Sequence, residues 1–208
     1  MRIEKITDKI TLYNCDCMEF MKDIPDNYYD LAIVDPPYGI GISSNPIRQQ
    51  HKSKKWDIDI PNKKYFSELF RISRNQIIWG GNYFIEYLKN TQNYVIWDKK
   101  QPEQFSLAMC ELAWTSFKSP AKIYRKSVLE ERNKIHPTQK PVKLYEWLLK
   151  NYAKPTDKIL DTHFGSCSIG IACHNFGCSL DACELDEEYF DKAYKRLRMH
   201  VRQLDLFK

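Results

Sequence analysis

The sequence predicts a single α/β domain in which helices cover both faces of a mostly parallel β-sheet. Short apolar runs with many β-branched and aromatic residues recur along the chain, bounded by polar and proline-containing segments. Stretches with apolar residues at helical spacing lie between several of these runs, and such an alternation is typical of parallel sheets. The 208 residues, 43% of them hydrophobic, are enough for one core, and neither an internal repeat nor a clear linker divides residues 1–208.

Eight strands and four helices follow from these patterns. The strands are predicted at residues 9–14, 31–34, 76–79, 94–97, 112–115, 121–124, 158–160 and 179–183. The helices are predicted at residues 62–72, 141–152, 169–173 and 187–202. Because ligands of such sheets bind beyond the carboxyl ends of the strands, a site is expected in the loops that follow them.

Composition favours a cytoplasmic protein. No apolar run is long enough to span a membrane, and the start, MRIEKITDKI, lacks the hydrophobic region of a signal peptide. Because the seven cysteines lack paired C-x-x-C spacing, we expect reduced, mostly buried thiols and no metal site. The net charge of +5 is compatible with almost any kind of partner.

A tetrapeptide, Asp35-Pro36-Pro37-Tyr38, directly follows the predicted strand at 31–34. The carboxylate of Asp35 can accept a hydrogen bond from an amino group, and the two prolines fix a backbone that presents carbonyl acceptors and few donors. The ring of Tyr38 can stack on a flat aromatic ligand. Together these groups suit the exocyclic amine of a nucleobase, and a proline-rich turn without such a role is the alternative.

A second candidate site follows the predicted strand at 158–160. Its turn reads Asp161-Thr162-His163-Phe164-Gly165-Ser166-Cys167-Ser168. Gly165 allows a close backbone approach or a positive φ, while Ser166 and Ser168 can cap the next helix, whose start offers N–H groups to a carboxylate. Glu184 directly follows the next predicted strand, at 179–183, and lies 23 residues after Asp161. That spacing is expected of an acid that binds ribose hydroxyls in a dinucleotide-type fold.

The two motifs resemble those of the amino-methyltransferases, which methylate adenine N6 or cytosine N4. Residues 35–38 are similar to the catalytic motif of that family. Residues 161–168 are similar to its S-adenosylmethionine site, approximately D-P-F-x-G-S-G-S/T. In this chain Thr162 and His163 replace the usual proline and phenylalanine, and Cys167 replaces the second glycine.

Further features extend the resemblance over roughly residues 9–200. Residues 184–190 read E-L-D-E-E-Y-F, close to the family's E-x-D-x-x-Y-F, and residues 136–141 read H-P-T-Q-K-P, similar to the segment that closes over the cofactor. Asp16 occupies the position at which the family's acid faces the cofactor adenine. The catalytic motif precedes the cofactor turn, and this order resembles the circularly permuted beta class.

The resemblance implies a Rossmann-like methyltransferase domain that uses S-adenosylmethionine and acts on a base flipped out of DNA. The implied catalytic residues are Asp35, Pro36, Pro37 and Tyr38. The implied cofactor residues are Asp16, Asp35, His136, Thr138, Lys140, Asp161, His163, Phe164, Gly165, Ser166, Ser168, Glu184 and Leu185.

Asp35 favours adenine N6 over cytosine N4 as the implied acceptor. Cytosine N4 stays open, as does a non-catalytic or regulatory nucleic-acid-binding relative that has lost the cofactor because of Cys167. Methylation of RNA or of a protein glutamine is a further alternative. Protein glutamine enzymes favour asparagine at the first position of the tetrapeptide, so Asp35 counts against them.

A lysine-rich loop follows the tetrapeptide. Residues 41–64 contain six lysines and arginines against two aspartates, a local charge of +4. From their position beside the predicted base pocket we expect DNA contacts from Arg48, Lys52, Lys54 and Lys55. A solvated lysine-rich surface is the alternative.

The chain lacks room for a large target-recognition domain before the H-P-T-Q-K-P segment, because only residues 126–135 separate Arg125 from His136. Sequence recognition would then come from the loop at 41–61, from a second subunit of a homodimer, or from a partner. The tail Gln203-Leu204-Asp205-Leu206-Phe207 resembles the pentapeptide with which bacterial replication and repair proteins dock on the sliding clamp. Folding of this tail back on the core is the alternative.

Overall fold

The computed structural model of the chain describes residues 1–42, 54, 56–104, 108–127 and 134–205, which form one nine-stranded sheet with flanking helices. The strands are β1 (Arg2–Lys5), β2 (Ile10–Asn14), β3 (Tyr29–Val34), β4 (Ser73–Trp79), β5 (Tyr94–Asp98), β6 (Cys110–Thr115), β7 (Lys122–Arg125), β8 (Lys158–Asp161) and β9 (Ser179–Glu184). The helices are α1 (Cys17–Lys22), α2 (Lys63–Ile72), α3 (Val142–Tyr152), α4 (Ser168–Phe176) and α5 (Glu187–Asp205). Two short 3-10 turns, Gly81–Tyr83 and Ile85–Tyr87, follow β4.

The strand order across the sheet is β1-β2-β9-β8-β3-β4-β6-β5-β7. The central strands β2, β9, β8, β3 and β4 run parallel to one another, and β1 and β6 run antiparallel to their neighbours. The predicted α/β fold with a mostly parallel sheet is therefore confirmed. Strands β8 and β3 are neighbours in the sheet. The chain continues from β3 to β4, on the side away from β8, and from β8 to β9, on the side away from β3. A crevice is expected at the carboxyl ends of β3 and β8, where these directions diverge.

Helices cover both faces of the sheet, as predicted. Helices α3, α4 and α5 pack on one face, and α1 and α2 pack on the other. Helix α2 buries Tyr65, Phe66, Leu69 and Ile72, which share one side of the helix. Each large apolar side chain buried in this way contributes about 1.5–3 kcal/mol. These contacts fix the helices and thereby the loops at the carboxyl ends of the strands.

Two elements were not predicted from the sequence. Strand β1 pairs antiparallel with β2 at the edge of the sheet and buries none of its own side chains, so it carries no apolar pattern. Helix α1 has only six residues, too few for a helical period to be visible. Its start is fixed by Asp16, whose carboxylate accepts a hydrogen bond from the Met18 N–H at 2.7 Å.

Three other predictions concern thiols, membranes and the tail. All seven cysteines are free, as expected. None of the helices within the described ranges combines the length and apolar character needed to cross a membrane. Helix α5 continues to Asp205, three residues beyond its predicted end, so it includes Gln203. Leu206 and Phe207 lie outside the described residues, and docking of the tail on a clamp stays a prediction.

Candidate active site

A cleft of about 440 Å³ opens at the carboxyl ends of β2, β3, β8 and β9. Asp35 follows β3, Thr162 follows β8, and Glu184 ends β9, and all three residues line the cleft. The two motifs, far apart in the chain, therefore meet at the divergence between β3 and β8. A volume of this size is within the usual range for small-molecule sites.

Asp35 is held by two donors at the end of β3. Its carboxylate accepts a hydrogen bond from the Tyr38 hydroxyl at 2.6 Å and one from the Lys140 ammonium at 2.5 Å. The Tyr38 ring stacks on Tyr83, with 5.0 Å between the ring centroids. A carboxylate offers about four lone-pair positions, so acceptor capacity remains on Asp35 for an amine that enters the cleft.

Lys140 lies at the centre of a buried chain of charges. Its side chain is 2% exposed, and its ammonium lies 2.5 Å from Asp35 and 3.0 Å from Glu111. Glu111 is also 2.6 Å from Lys99. Burial lowers the pKa of Lys140, but the carboxylates of Asp35 and Glu111 raise it by more, so the ammonium stays protonated. Burial raises the pKa of Asp35, and Lys140 opposes that rise.

Gly80 makes room for the Tyr38 ring. It follows β4 and has a φ of +72°, in the left-handed region that favours glycine. A Cβ atom at this position would lie 2.2 Å from the ring carbon Cε1 of Tyr38. The position of Tyr38 therefore depends on a glycine 42 residues later in the chain.

Glu184 joins the two turns of the other half of the cleft. Its carboxylate accepts hydrogen bonds from the Gly165 N–H at 3.0 Å and from the Asp186 N–H at 2.9 Å. Gly165 has a φ of +50°. Burial raises the pKa of Glu184 to about 7, and the two backbone hydrogen bonds oppose this rise. Each carboxylate oxygen keeps lone-pair capacity for a ligand hydroxyl.

The residues that replace the family's proline and phenylalanine form a hydrogen-bonded pair. The Thr162 hydroxyl lies 2.6 Å from the Tyr65 hydroxyl and 2.9 Å from His163 Nδ1. Burial lowers the pKa of His163 to about 4, so its ring is neutral. Asp161 accepts a hydrogen bond from the His163 N–H at 3.0 Å, and burial raises the pKa of Asp161 to about 8. The turn thus keeps these buried polar groups paired despite its unusual sequence.

Cys167 adopts a glycine-like backbone conformation. Its φ of 55° and ψ of 36° are left-handed, which costs a residue with a Cβ atom about 1–2 kcal/mol. Its sulfur packs so closely on Gly170 that a Cβ there would lie 2.5 Å away. Behind the turn, Arg196 donates to the Ser166 carbonyl at 2.8 Å and to the Ser168 hydroxyl at 3.0 Å. The backbone at Cys167 therefore keeps a conformation that glycine also adopts.

His136 belongs to an aromatic wall of the cleft. Its ring centroid lies 5.2 Å from that of Trp56 and 4.3 Å from that of Tyr189. His136 Nδ1 accepts a hydrogen bond from the Thr138 N–H at 3.3 Å and lies 3.0 Å from the Thr138 hydroxyl oxygen. The segment at 136–141 thus contributes to the lining of the cleft, and its closure over a cofactor stays a prediction.

The structure brings most of the predicted site residues together. Those that line the cleft are Asp16, Asp35, Pro37, His136, Thr138, Lys140, His163, Phe164, Gly165, Ser166, Glu184 and Leu185. Four predicted residues do not line it: Pro36, Asp161 and Ser168, which are buried, and Tyr38, which is half-buried. Their roles toward a cofactor or a base stay predictions.

Of the four predicted DNA-contact residues, only Lys54 lies within the described part of the chain. Lys54 lies at the edge of the cleft, where its ammonium is 2.6 Å from Asp186 and 3.2 Å from Glu188. A lysine paired in this way is less suited to a phosphate than the sequence suggested. Arg48, Lys52 and Lys55 lie outside the described residues, and their DNA contacts stay predictions.

Sequence reasoning missed several residues that line or support the cleft, among them Trp56, Asp57, Tyr65 and Glu111. Trp56 and Asp57 lie in a polar loop without periodicity, where no pattern separates them from their neighbours. Tyr65 looks like any other core position of α2. Glu111 was detectable, because it is a lone acidic residue in the apolar strand β6.

Comparison with known proteins agrees with this geometry. The family model for N6/N4 DNA methylases matches residues 48–195. The type II methyltransferase M.HinfI of Haemophilus influenzae is 26% identical, over 95% of this chain and 71% of its own length. The type II methyltransferase M.BglII of Bacillus subtilis is 24% identical, over 89% of this chain and 68% of its own length.

Solved structures share the fold. The M1.HpyAVI–SAM complex superimposes with a TM-score of 0.63 at 21% identity and covers 90% of this chain and 98% of its own. The cytosine-N4-specific PvuII DNA methyltransferase gives a TM-score of 0.67 at 13% identity and covers 92% and 86% of the two chains. Together with the family model, these structures support the expected cofactor, S-adenosylmethionine.

Proposed function

Because the chain belongs to the N6/N4 family of DNA methylases, we propose that it methylates DNA at adenine N6, with S-adenosylmethionine as the methyl donor. The observation that carries the proposal is the shared cleft, which Asp35 of the tetrapeptide lines together with Glu184 and Gly165 of the cofactor half. A carboxylate that can accept from an amine thus faces the same space as the donors and acceptors expected of a cofactor site. Residues 1–208 form a single methyltransferase domain in this proposal.

The cofactor half fits S-adenosylmethionine. The carboxylate of Glu184, already fixed by two backbone donors, accepts from the ribose hydroxyls. Gly165 and Ser166 border the cleft where the start of α4 favours a carboxylate, and His136 and Leu185 supply apolar surface. Asp16, which caps α1 just after β2, would face the adenine of the cofactor. When bound, the cofactor supplies an electrophilic methyl group on a sulfonium.

The residues of the base half act on the target amine. Its lone pair is delocalised into the base, so the amine is a weak nucleophile. The Asp35 carboxylate and the Pro36 carbonyl accept hydrogen bonds from the two N–H groups of the amine. These hydrogen bonds orient the lone pair of the amine toward the methyl group. Lys140, 2.5 Å from Asp35, keeps the acceptor charged and in place. A bound cofactor would supply the methyl group to this amine, and the amine would then release its extra proton to solvent.

The flipped base stacks on Tyr38 in this proposal. Extrusion from the duplex costs a few kcal/mol, which stacking on the ring offsets in part. An aspartate in the tetrapeptide favours adenine. Cytosine N4 is the second candidate, because the matching family model covers both acceptors.

The deciding experiment incubates the purified chain with unmethylated genomic DNA and tritiated S-adenosylmethionine. Mass spectrometry of the digested DNA then identifies the product. We expect N6-methyladenine, whereas N4-methylcytosine would establish the second candidate. Absence of any methylated base would refute the proposed activity.

Asp35→Ala tests the role of the tetrapeptide. We expect methyl transfer to be abolished while S-adenosylmethionine still binds by calorimetric titration. The matched control is Asp30→Ala, at the opposite end of β3, where the carboxylate pairs with Arg74 at 3.3 Å. Retained activity in Asp35→Ala would contradict the assigned role.

DNA contact by the loop at 41–61 is tested by salt dependence. Charge reversal at Arg48, Lys52 and Lys55 should weaken DNA binding and flatten the slope of log affinity against log salt, because fewer counterions are released. Lys54→Glu is the comparison, since Lys54 is paired with Asp186. An unchanged slope in the triple variant would identify a solvated surface. Homodimer formation and clamp docking through Gln203–Phe207 stay as further proposals for target selection.

A further inference from the structure

Asp57 organises the backbone that follows the catalytic tetrapeptide. Its side chain is 1% exposed, and its Oδ1 accepts hydrogen bonds from the N–H groups of Tyr38 at 2.8 Å and Gly39 at 3.0 Å. Its Oδ2 accepts from the Ile42 N–H at 2.8 Å, and its carbonyl accepts from the Gly41 N–H at 2.9 Å. A buried carboxylate is unfavourable unless it is hydrogen-bonded, so Asp57 and the turn at 38–42 stabilise each other.

Trp56, the preceding residue, belongs to the other half of the cleft. Its indole lines the cleft and lies against His136, with 5.2 Å between ring centroids and 35° between ring planes. His136 in turn contacts Tyr189. A flat, electron-rich indole face is suited to an adenine ring or to a sulfonium cation. Trp56 is therefore placed to contact whatever occupies the cofactor half.

We propose that Trp56 is a cofactor-contacting residue and that Asp57 is a positioning residue for the turn at 38–42. Because the two are adjacent in the chain, cofactor contact at Trp56 and the position of Tyr38 become linked. Occupancy of the cofactor half then favours the turn conformation that receives the target base. By reciprocity, DNA bound at that turn tightens cofactor binding by the same factor. The inference rests on the proposed function, since it takes S-adenosylmethionine as the cleft ligand.

Trp56 can be tested by tryptophan fluorescence. Trp79, Trp97 and Trp114 are buried in the core, and Trp147 lies on α3 beside Tyr124 and Tyr152, away from the cleft. Titration of the full chain with S-adenosylmethionine should therefore change the emission mainly through Trp56. We expect the change to disappear in Trp56→Phe and to persist in the control Trp147→Phe.

Calorimetric titration in parallel separates the inference from the proposed function. We expect Trp56→Phe to raise the Kd for S-adenosylmethionine by about 3–10-fold, because a phenyl ring is smaller than an indole and attracts a cation less strongly. If Trp56→Phe shows the same fluorescence response and the same Kd as the unmodified chain, the assignment of Trp56 is overturned and the proposed function stays intact. Absence of binding to the unmodified chain by calorimetry would refute the proposed cofactor and the inference together.

The positioning role of Asp57 is tested by measuring the coupling between DNA binding and cofactor binding. The Kd for S-adenosylmethionine is measured with and without saturating unmethylated genomic DNA, in the unmodified chain and in Asp57→Ala. We expect DNA to tighten cofactor binding by about 5-fold or more in the unmodified chain, the lower range of allosteric coupling. In Asp57→Ala the factor should fall to about 1 while the Kd without DNA changes by less than about 2-fold. A wild-type coupling factor in Asp57→Ala would overturn the positioning role.

A conservative variant covers the case in which Asp57→Ala fails to fold. Asp57→Asn keeps one oxygen that can accept from Tyr38 and Gly39 but loses the acceptor for Ile42. Its coupling factor should lie between about 1, which means no coupling, and the factor of the unmodified chain. A factor equal to that of the unmodified chain would count against the positioning role of Asp57. Asp8→Ala is the matched control, because the Asp8 side chain is exposed and pairs with Lys5.

Discussion

Cofactor binding should weaken as the pH falls from 8 to 6, and Glu184 sets the size of the effect. In the unliganded chain burial raises the pKa of Glu184 to about 7. The ribose hydroxyls donate hydrogen bonds, and a carboxylate accepts them far better than a carboxylic acid does. Protonation of Glu184 therefore competes with S-adenosylmethionine.

The magnitude follows from the fraction of Glu184 that is ionised. With a pKa of about 7, roughly nine tenths of the carboxyl groups are charged at pH 8 and roughly one tenth at pH 6. If only the carboxylate binds, the apparent Kd rises about 10-fold over this interval, equivalent to about 1.4 kcal/mol. Calorimetric titrations at pH 6, 7 and 8 measure this change directly.

The control is Glu184→Gln, because the α-amino group of the cofactor also titrates near pH 8. We expect Glu184→Gln to bind about 1–3 kcal/mol more weakly at pH 8, the cost of losing charge-assisted hydrogen bonds, and to lose most of the pH dependence. Asp161→Asn removes the neighbouring carboxyl, whose pKa burial raises to about 8, and should leave the slope between pH 6 and 7 intact. An equal pH dependence in Glu184→Gln and the unmodified chain would refute the reasoning.

The unliganded chain should respond to pH with the opposite sign, which gives a second readout. Folding raises the pKa of Glu184 from its ordinary 4.5 to about 7, so protonation favours the folded state. This contribution is fully present below pH 4.5 and is lost as the pH rises through about 7. The pH dependence of the free energy of unfolding should therefore be flatter in Glu184→Gln across that interval.

Three further substitutions test other parts of the cleft. Lys140→Met leaves the carboxylate of Asp35 without its cation and Glu111 paired with Lys99 alone, so we expect the free energy of unfolding to fall by about 3–5 kcal/mol and the pH–rate profile of methyl transfer to shift to higher pH as the pKa of Asp35 rises; an unshifted profile would contradict this role. Gly80→Ala places a Cβ 2.2 Å from the Tyr38 ring and should reduce methyl transfer by about 10-fold or more without raising the cofactor Kd; normal activity would show that Tyr38 can move without loss. Cys167→Gly relieves about 1–2 kcal/mol of backbone strain and should bind S-adenosylmethionine at least as tightly; weaker binding would show that the cysteine belongs to an adapted loop.

The fold was predictable wherever a strand or helix buries apolar side chains. Strands β3 and β8 lie in the core, and their apolar runs located them to within two residues. Strand β4 begins at Ser73, three residues before its predicted start, because Ser73-Arg74-Asn75 joins the sheet through backbone pairing with β3 rather than through an apolar pattern. Strand β1 escaped prediction for the same reason. Backbone pairing at an edge leaves little trace in side-chain hydrophobicity.

The candidate site was predictable where residues follow a strand directly, and less so where they approach from elsewhere. Asp35 and Glu184 stand at or just after strand ends, so their convergence followed from the parallel sheet. Asp57 reaches the turn at 38–42 from a loop, and Glu111 reaches Lys140 from the antiparallel strand β6. The contact of Glu111 depends on the order of strands in the sheet and that of Asp57 on the path of the loop, and the local sequence specifies neither.

Lys140 shows how contacts between distant parts of the chain change the role that the sequence assigns to a residue. Its place in H-P-T-Q-K-P made it a predicted cofactor residue, and it does line the cleft. Its ammonium, however, lies 2.5 Å from Asp35 and 3.0 Å from Glu111, so its charge is already balanced by carboxylates of the base half. A cofactor group that took this ammonium would leave Asp35 without the cation that opposes the rise in its pKa. The segment that carries His136 of the aromatic wall therefore also holds the carboxylate of Asp35, the proposed acceptor for the target amine, and the two halves of the cleft share one element.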